Sequence, residues 1–186
     1  MGRIDLGRIA RLVVTLLLVL GPRARAQPVT LAVPEGVLPP EIPADNPVTA
    51  AKVDLGKKLY FDSRLSKDDT ISCATCHDPR AGFADGHSVS DGVGGAKGVR
   101  NSPTVLNAAF LREQFWDGRA PTLEAQSLLP MINPVEMAQP DHAAVVAKLR
   151  GIAEYAPLFS AAFGTPEITI ERVGQAIASF ERTLIS

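Results

Sequence analysis

The chain has 186 residues, 46% of them apolar, and its 19 Lys and Arg against 20 Asp and Glu give a formal net charge of −1. This length suits one domain with a single hydrophobic core. The near-neutral balance lacks the clustered positive charge that binding phosphates requires, so we expect no nucleic-acid partner.

The first 26 residues have the pattern of a cleaved secretory signal peptide. Arg3, Arg8 and Arg11 precede an apolar run at 12–20, and an Ala-x-Ala sequence ends at Ala26. That run is shorter than the roughly 20 residues needed to span a bilayer. We therefore predict cleavage after residue 26, no stable membrane anchor, and export to the bacterial periplasm. Loss of five Arg and one Asp would change the net charge from −1 to −5.

After the predicted signal, helical patterns alternate with irregular segments. Prolines at 28, 34, 39, 40, 43 and 47 predict an extended arm over 27–45. Apolar residues then recur at helical spacing in five segments, and no segment shows the two-residue alternation of a strand. The predicted fold class is all-α with long ordered loops. The predicted helices cover residues 48–61, 122–129, 141–150, 154–163 and 169–184.

A long irregular stretch, residues 62–104, contains both cysteines of the chain. A loop of this length is unusual in a compact domain unless something else organises it. A wrapped, covalently held cofactor would do so.

Cys73-Ala-Thr-Cys76-His77 has the spacing of c-type haem attachment, in which each thiol forms a thioether and the histidine binds the iron. A disulfide here would close only a tiny loop, and a thioredoxin-like dithiol belongs in an α/β context. A zinc site needs four ligands, and only His87 and His142 remain as soft donors. We predict one covalent haem c. Spacing alone leaves an electron carrier and an enzyme both open.

Six stretches extend this pattern. They are LGKKLYFD at 55–62, ISCATCHD at 71–78, RNSPTVLN at 100–107, FWDGR at 115–119, NPVEM at 133–137 and FERTLIS at 180–186. In order and spacing they resemble the bacterial di-haem cytochrome c peroxidase family, specifically its N-terminal, peroxide-reacting haem domain. The resemblance covers residues 46–186 and implies a cytochrome c-like helical domain with long loops wrapped around the haem.

The resemblance also implies roles for individual residues. Glu136 matches the distal-pocket acid that moves a proton between the two peroxide oxygens, and burial beside a haem raises the pKa of a carboxyl toward neutrality. Gln126 and Pro130 match other distal-pocket positions. Trp116 matches the tryptophan that carries electrons between the two haems, and Asn101 matches a ligand of the inter-haem calcium.

Three of these residues have ordinary alternatives. Glu136 is a surface carboxylate on the simplest interpretation. Trp116 is then a packing residue of the core or an interface, and Asn101 is a turn residue beside Pro103.

The chain departs from the family pattern in two places. Val93 stands where peroxidases that need reductive activation have a histidine that binds the iron. Valine cannot do so, and we expect a haem open to peroxide at rest, unless His87 replaces that ligand. The chain also ends at Ser186, before the family's second haem domain would begin, so we expect slow turnover from this chain alone.

The implied activity is reduction of hydrogen peroxide to water, with electrons from a small donor protein such as a cytochrome c or a cupredoxin. One alternative is a non-enzymatic electron-transfer cytochrome, with Met131 or Met137 as the sixth iron ligand. Others are an inert fragment and an oxidase of the kind that matures a tryptophan-derived quinone cofactor, truncated after its first domain. Those oxidases also lack the histidine at the position of Val93.

Overall fold

The computed structural model describes residues 27–186, and the predicted signal peptide lies outside them. Within this range the only β pairing consists of isolated bridges, so the all-α prediction is confirmed. No helix in the described range is long and apolar enough to cross a membrane. The α-helices are α1 (Ala50–Tyr60), α2 (Cys73–Cys76), α3 (Leu123–Ile132), α4 (His142–Arg150), α5 (Tyr155–Phe163) and α6 (Ile170–Glu181).

Four of the helices begin at a polar side chain that caps their first turn. Thr49, Thr122, Asp141 and Thr169 each accept a hydrogen bond from the backbone N–H three residues later, at 2.8–3.4 Å. Such caps satisfy backbone donors that the helix itself leaves unpaired, and each contributes about 1 kcal/mol. They account for why the predicted starts of these helices agree with the structure to within about two residues.

Two helix ends differ from the prediction. Helix α3 continues to Ile132 although Pro130 lies inside it. The chain beyond α3 turns back, and the N–H groups of Asn133 and Met137 both donate to the Pro130 carbonyl, which supports this last turn. Helix α6 ends at Glu181, three residues before the predicted end, and just beyond it the hydroxyl and the N–H of Thr183 both donate to the Phe180 carbonyl.

The core is centred on the crossing of α1 and α6. A Cβ at Gly56 would lie 1.9 Å from the Ala176 carbonyl oxygen, so the two backbones touch and only glycine fits. The Tyr60 and Phe180 rings pack edge to face beside this contact, with centroids 5.1 Å apart. Helices α4 and α5 close the same hydrophobic cluster.

The long irregular stretch is organised by compact turns. Antiparallel bridges join Asp78 to Ala84 and Asp91 to Lys97 within it. A third turn of the same kind follows this stretch and is closed by a bridge between Gln114 and Ala120. Hydrogen bonds between backbone groups therefore hold these loops in place without regular strands. The N-terminal arm contains no helix and is tied to the start of α1 by a hydrogen bond from Val29 N–H to the Val48 carbonyl.

Candidate functional site

Helix α2 is a single turn that carries both cysteines. It begins at Ser72, whose backbone N–H donates to the Thr75 hydroxyl at 3.0 Å. Cys73 and Cys76 are three residues apart and therefore lie on one side of this turn. Neither thiol is in a disulfide, and both are half-buried. Two free thiols on one side of a short helix, followed directly by a histidine, form a donor set that fits a thioether-linked haem.

His77 is oriented by a backbone carbonyl. Its Nδ1–H donates to the Pro103 carbonyl oxygen at 2.9 Å, and this bond leaves the Nε2 lone pair free. Burial lowers the pKa of His77, partly opposed by that hydrogen bond, so the neutral imidazole is favoured. The Tyr60 hydroxyl donates to the His77 carbonyl at 3.2 Å and fixes the backbone of the same residue. A neutral imidazole with a fixed ring is the form that binds iron.

The turn at 91–97 connects this motif to Glu136. On one side, the Asp91 carbonyl lies 3.9 Å from the Cys76 sulfur. On the other, the Val93 N–H donates to the Glu136 carbonyl at 2.9 Å. A Cβ at Gly92 would lie 2.0 Å from the Val135 carbonyl oxygen, so the close contact requires glycine. The structure thus brings Val93 and Glu136 to the same side of the attachment motif.

Glu136 is held in a tight turn after α3. Asn133 directs the turn, because its carbonyl accepts from the Glu136 N–H and its side-chain amide donates to Glu136 Oε1 at 2.7 Å. The carboxyl is half-buried, and burial raises its pKa, while the charge of Arg119 and the Asn133 hydrogen bond act in the opposite direction. Glu136 is therefore not an ordinary surface carboxylate.

Gln126 and Pro130 lie one turn apart on α3 and are both half-buried. Residues four apart share one face of a helix. The Pro130 carbonyl accepts a hydrogen bond from Met137 N–H at 3.2 Å, which ties this part of α3 to the Glu136 turn.

Trp116 lies at the surface, 61% exposed, which excludes a core-packing role within this chain. Its indole Nε1–H donates to the Asn101 carbonyl at 3.0 Å. The neighbouring Asp117 accepts from Arg100 at 2.9 Å and from Arg119 at 2.8 Å. The indole is therefore held by one hydrogen bond to Asn101, and the Arg100–Asp117 ion pair joins the same two segments. Within residues 27–186 no group of three or more His, Cys, Asp or Glu side chains is placed to hold a metal ion, and the calcium at Asn101 stays a prediction.

The other candidate iron ligands lie in different surroundings. His87 is exposed, and its backbone N–H donates to Asp85 at 3.0 Å, as in a solvated loop. Met131 is fully buried and Met137 is 2% exposed, both within the hydrophobic cluster.

Comparison with known proteins decides the family. The family model for di-haem cytochrome c peroxidases matches residues 50–186. The chain belongs to this family. Among its relatives, the methylamine utilization protein MauG of Methylophilus methylotrophus is 46% identical over 80% of this chain, and the cytochrome c peroxidase Ccp of Escherichia coli is 48% identical over 78%.

Solved structures give the same result for the fold. A MauG-like protein associated with microbial copper homeostasis superposes with a TM-score of 0.78 at 36% identity, over 85% of this chain and 47% of its own. The diheme peroxidase BthA of Burkholderia thailandensis gives a TM-score of 0.63 at 29% identity, over 74% and 39%. The chain spans 44% of the Methylophilus MauG and 31% of the E. coli peroxidase.

The sequence analysis did not single out three residues that the structure places at or near this site. Pro103 acts through its carbonyl, so no side-chain property signals it. Gly92 is one of several glycines in the loop, and only the contact with Val135 distinguishes it. Glu181 lies in a matched motif, but nothing in the sequence shows that its carboxyl is buried.

Proposed function

We propose that residues 46–186 form a periplasmic c-type haem domain that reduces hydrogen peroxide to water. One observation carries the proposal. The 91–97 turn contacts both the attachment motif and the Glu136 turn, and it joins Val93, which cannot bind iron, through its backbone to the residue that carries a half-buried carboxyl. Family membership supports a haem c protein of the peroxidase type.

The chain's own residues fit the haem. Cys73 and Cys76 would hold it through two thioethers, and His77 would bind the iron through the nitrogen that Pro103 leaves free. When bound, the haem would supply the redox chemistry that cleavage of the peroxide O–O bond requires.

Glu136 moves the proton that this cleavage needs. Its carboxylate accepts the proton of the inner peroxide oxygen and returns it to the outer oxygen, which then leaves as water. Glu136 must be ionised to accept the first proton. Because burial raises its pKa, the protonated carboxyl can also give that proton up to the outer oxygen near neutral pH. Asn133 positions the carboxyl through the hydrogen bond to Oε1. We assign Gln126 and Pro130 to the wall of the same pocket.

Electrons enter from outside the described residues. The exposed Trp116 is a suitable contact because an aromatic ring at the surface can face a redox partner. A small cytochrome c or a cupredoxin is the proposed donor, and a calcium ion held partly by Asn101 would stabilise this surface.

The proposal is tested by mixing the matured ferric protein with one equivalent of hydrogen peroxide and following its absorption. We expect a rapid change that slows at least about 100-fold in Glu136→Gln, as for loss of general acid–base catalysis. Glu41→Gln changes an exposed carboxylate in the N-terminal arm and should react as fast as the unmodified protein. Equal rates in all three proteins would contradict the role of Glu136.

A second candidate function is oxidation of a protein side chain. It is favoured by the 46% identity to a MauG, close to the 48% identity to the E. coli peroxidase, and by Val93, which stands where such oxidases also lack the histidine. The two activities differ in what consumes the oxidising equivalents. Peroxide turnover with reduced cytochrome c or a reduced cupredoxin supports the peroxidase. No turnover with either donor, together with peroxide-dependent oxidation of tryptophan in a partner protein, supports the second function.

The electron-carrier alternative requires a methionine at the iron. Met131 and Met137 are instead part of the hydrophobic cluster behind α3, where they fill space among apolar side chains. A methionine–iron charge-transfer band in the ferric protein would support that alternative, and we expect none.

A further inference from the structure

Glu181 is a buried carboxyl without a hydrogen-bond partner. It ends α6, directly after Phe180, and is only 5% exposed. Its Oε2 is the single fully buried side-chain nitrogen or oxygen within residues 27–186 that has no partner. Buried polar groups are almost always hydrogen-bonded, and a carboxylate in such a place is costly. The position therefore favours a carboxyl that carries its own proton.

The neighbouring cation, Arg182, is already paired with another carboxylate. Arg182 donates to both carboxylate oxygens of Glu124, at 2.6 and 3.0 Å. Glu124 also accepts from the Asn46 amide at 2.6 Å. Burial raises the pKa of Glu181 to about 8, with only partial opposition from Arg182 and a further increase from the charge of Glu124.

Glu181 also lies near the haem attachment motif, because the preceding Phe180 belongs to the hydrophobic cluster against which Cys73 packs. After burial, its charge is the largest influence that raises the pKa of the Cys73 thiol, and it also acts on the Tyr60 hydroxyl. Tyr60 packs on Phe180 and donates to the His77 carbonyl. The carboxyl thus lies on the side of the core where Cys73 would join the haem.

A haem attached at Cys73 would be coupled to Glu181 through charge. In a dry interior the charge on the iron acts on a nearby carboxyl with little screening. An added electron makes deprotonation of the carboxyl less favourable, and removal of that electron makes it more favourable.

We propose that Glu181 is a redox-linked proton site, which binds one proton when the haem iron gains an electron and releases it when the iron is oxidised. This rests on the proposed attachment of haem at Cys73. The balance is one electron to the iron and one proton from solvent to the carboxylate. Reduction of peroxide to water consumes protons together with electrons. Such a site would supply a proton from within the domain for an electron that the iron gives up.

No other group facing Glu181 titrates in the same range. Burial raises the pKa of Tyr60 far above its usual range, and the Cys73 thiol is consumed by the thioether. Burial raises the pKa of Glu124, but the hydrogen bonds from Arg182 and Asn46 outweigh this effect, so its pKa lies below the usual value. Among these groups, Glu181 is therefore the one whose pKa lies near 8.

The test is the haem midpoint potential of the matured full chain, measured without peroxide over roughly two pH units on either side of that pKa. We expect the potential to fall as pH rises through about 8. At its steepest, the midpoint potential should fall by about 59 mV per pH unit, which corresponds to a tenfold change in the reduction equilibrium. In Glu181→Gln the potential should stay near its acid value. Glu171→Gln, an exposed change on the same helix, should keep the slope.

An infrared difference spectrum of the unmodified protein gives a second readout that needs no variant. Near pH 8, where part of the carboxyl is ionised before reduction, reduction should increase the C=O band of the protonated carboxyl, and the band should be absent from Glu181→Gln. A haem-loaded protein whose Glu181→Gln variant keeps the full slope overturns this inference and leaves the peroxidase proposal intact. Failure of the chain to attach haem overturns both.

Discussion

The buried carboxyl of Glu181 makes the stability of the fold depend on pH. Its pKa is raised from 4.5 to about 8, so between these values the folded chain holds a proton that the unfolded chain has lost. Stability from this group is therefore complete below pH 4.5 and decreases as pH rises toward 8. We expect Glu181→Gln to be more stable than the unmodified protein at pH 8 by about 1–3 kcal/mol, because the amide stays uncharged whereas the carboxyl must take up a proton or bury a charge on folding.

Urea unfolding of the haem-loaded protein at pH 5 and at pH 8 measures this effect. The difference between the two proteins should shrink at pH 5, and Glu171→Gln should follow the unmodified protein at both values. An equal effect at both pH values would mean that Glu181 does not titrate in this range.

In the proposed reaction, the hydrogen bond from Asn133 would influence the pH range in which Glu136 accepts a proton. Burial raises the pKa of Glu136, and Asn133 partly offsets the rise by donating to the ionised form. Because the carboxylate must be ionised to accept the peroxide proton, the rate is lost as pH falls through this pKa. Asn133→Ala should move this acid limb to higher pH. The measurement is the pH profile of the rate with peroxide, and an unmoved limb would show that Asn133 has no influence on Glu136.

At the scale of elements, the 91–97 turn can lie against the Glu136 turn only because Gly92 has no side chain. A Cβ there would lie 2.0 Å from the Val135 carbonyl oxygen, backbone that cannot move aside cheaply. Gly92→Ala should leave haem attachment intact but separate the two turns and slow the reaction with peroxide at least about tenfold, as for a misplaced catalytic group. Gly98→Ala in the same loop is the control, since its nearest neighbours would lie at 3.7 Å.

The contact between α1 and α6 depends on Gly56 in the same way. An alanine side chain would lie 1.9 Å from the Ala176 carbonyl oxygen and would push the two helices apart. We expect Gly56→Ala to lower the free energy of unfolding by about 3 kcal/mol or more, as for a severely overpacked core. Lys57→Ala, at the next and exposed position, should change it by less than about 0.5 kcal/mol. Chemical denaturation compares the two, and similar losses would contradict the close packing.

At the scale of the whole molecule, the sequence predicts the elements better than their arrangement. The five long helices follow from apolar spacing and from polar caps such as Thr169, both of which are local. The predicted helix ended before Pro130, whereas N–H groups from beyond the helix donate to the Pro130 carbonyl and support one further turn. The family follows from ordered motifs, which need no three-dimensional information.

What the sequence could not supply is the set of contacts between distant segments. The orientation of His77 depends on a carbonyl 26 residues away, and the position of Val93 beside Glu136 depends on a contact between two turns. Neither leaves a periodic or compositional pattern. The burial of Glu181 likewise depends on how α6 packs against the rest of the core.

The central claim is a haem bound through Cys73, Cys76 and His77 with an open position on the side of Val93 and Glu136. The most direct test is the optical spectrum of the matured ferric protein at rest, compared with that of Val93→His. We predict a high-spin spectrum for the unmodified protein and conversion to low-spin in the variant, because a histidine in the 91–97 turn would reach the iron. A wholly low-spin resting spectrum, unchanged by the substitution, would contradict the claim.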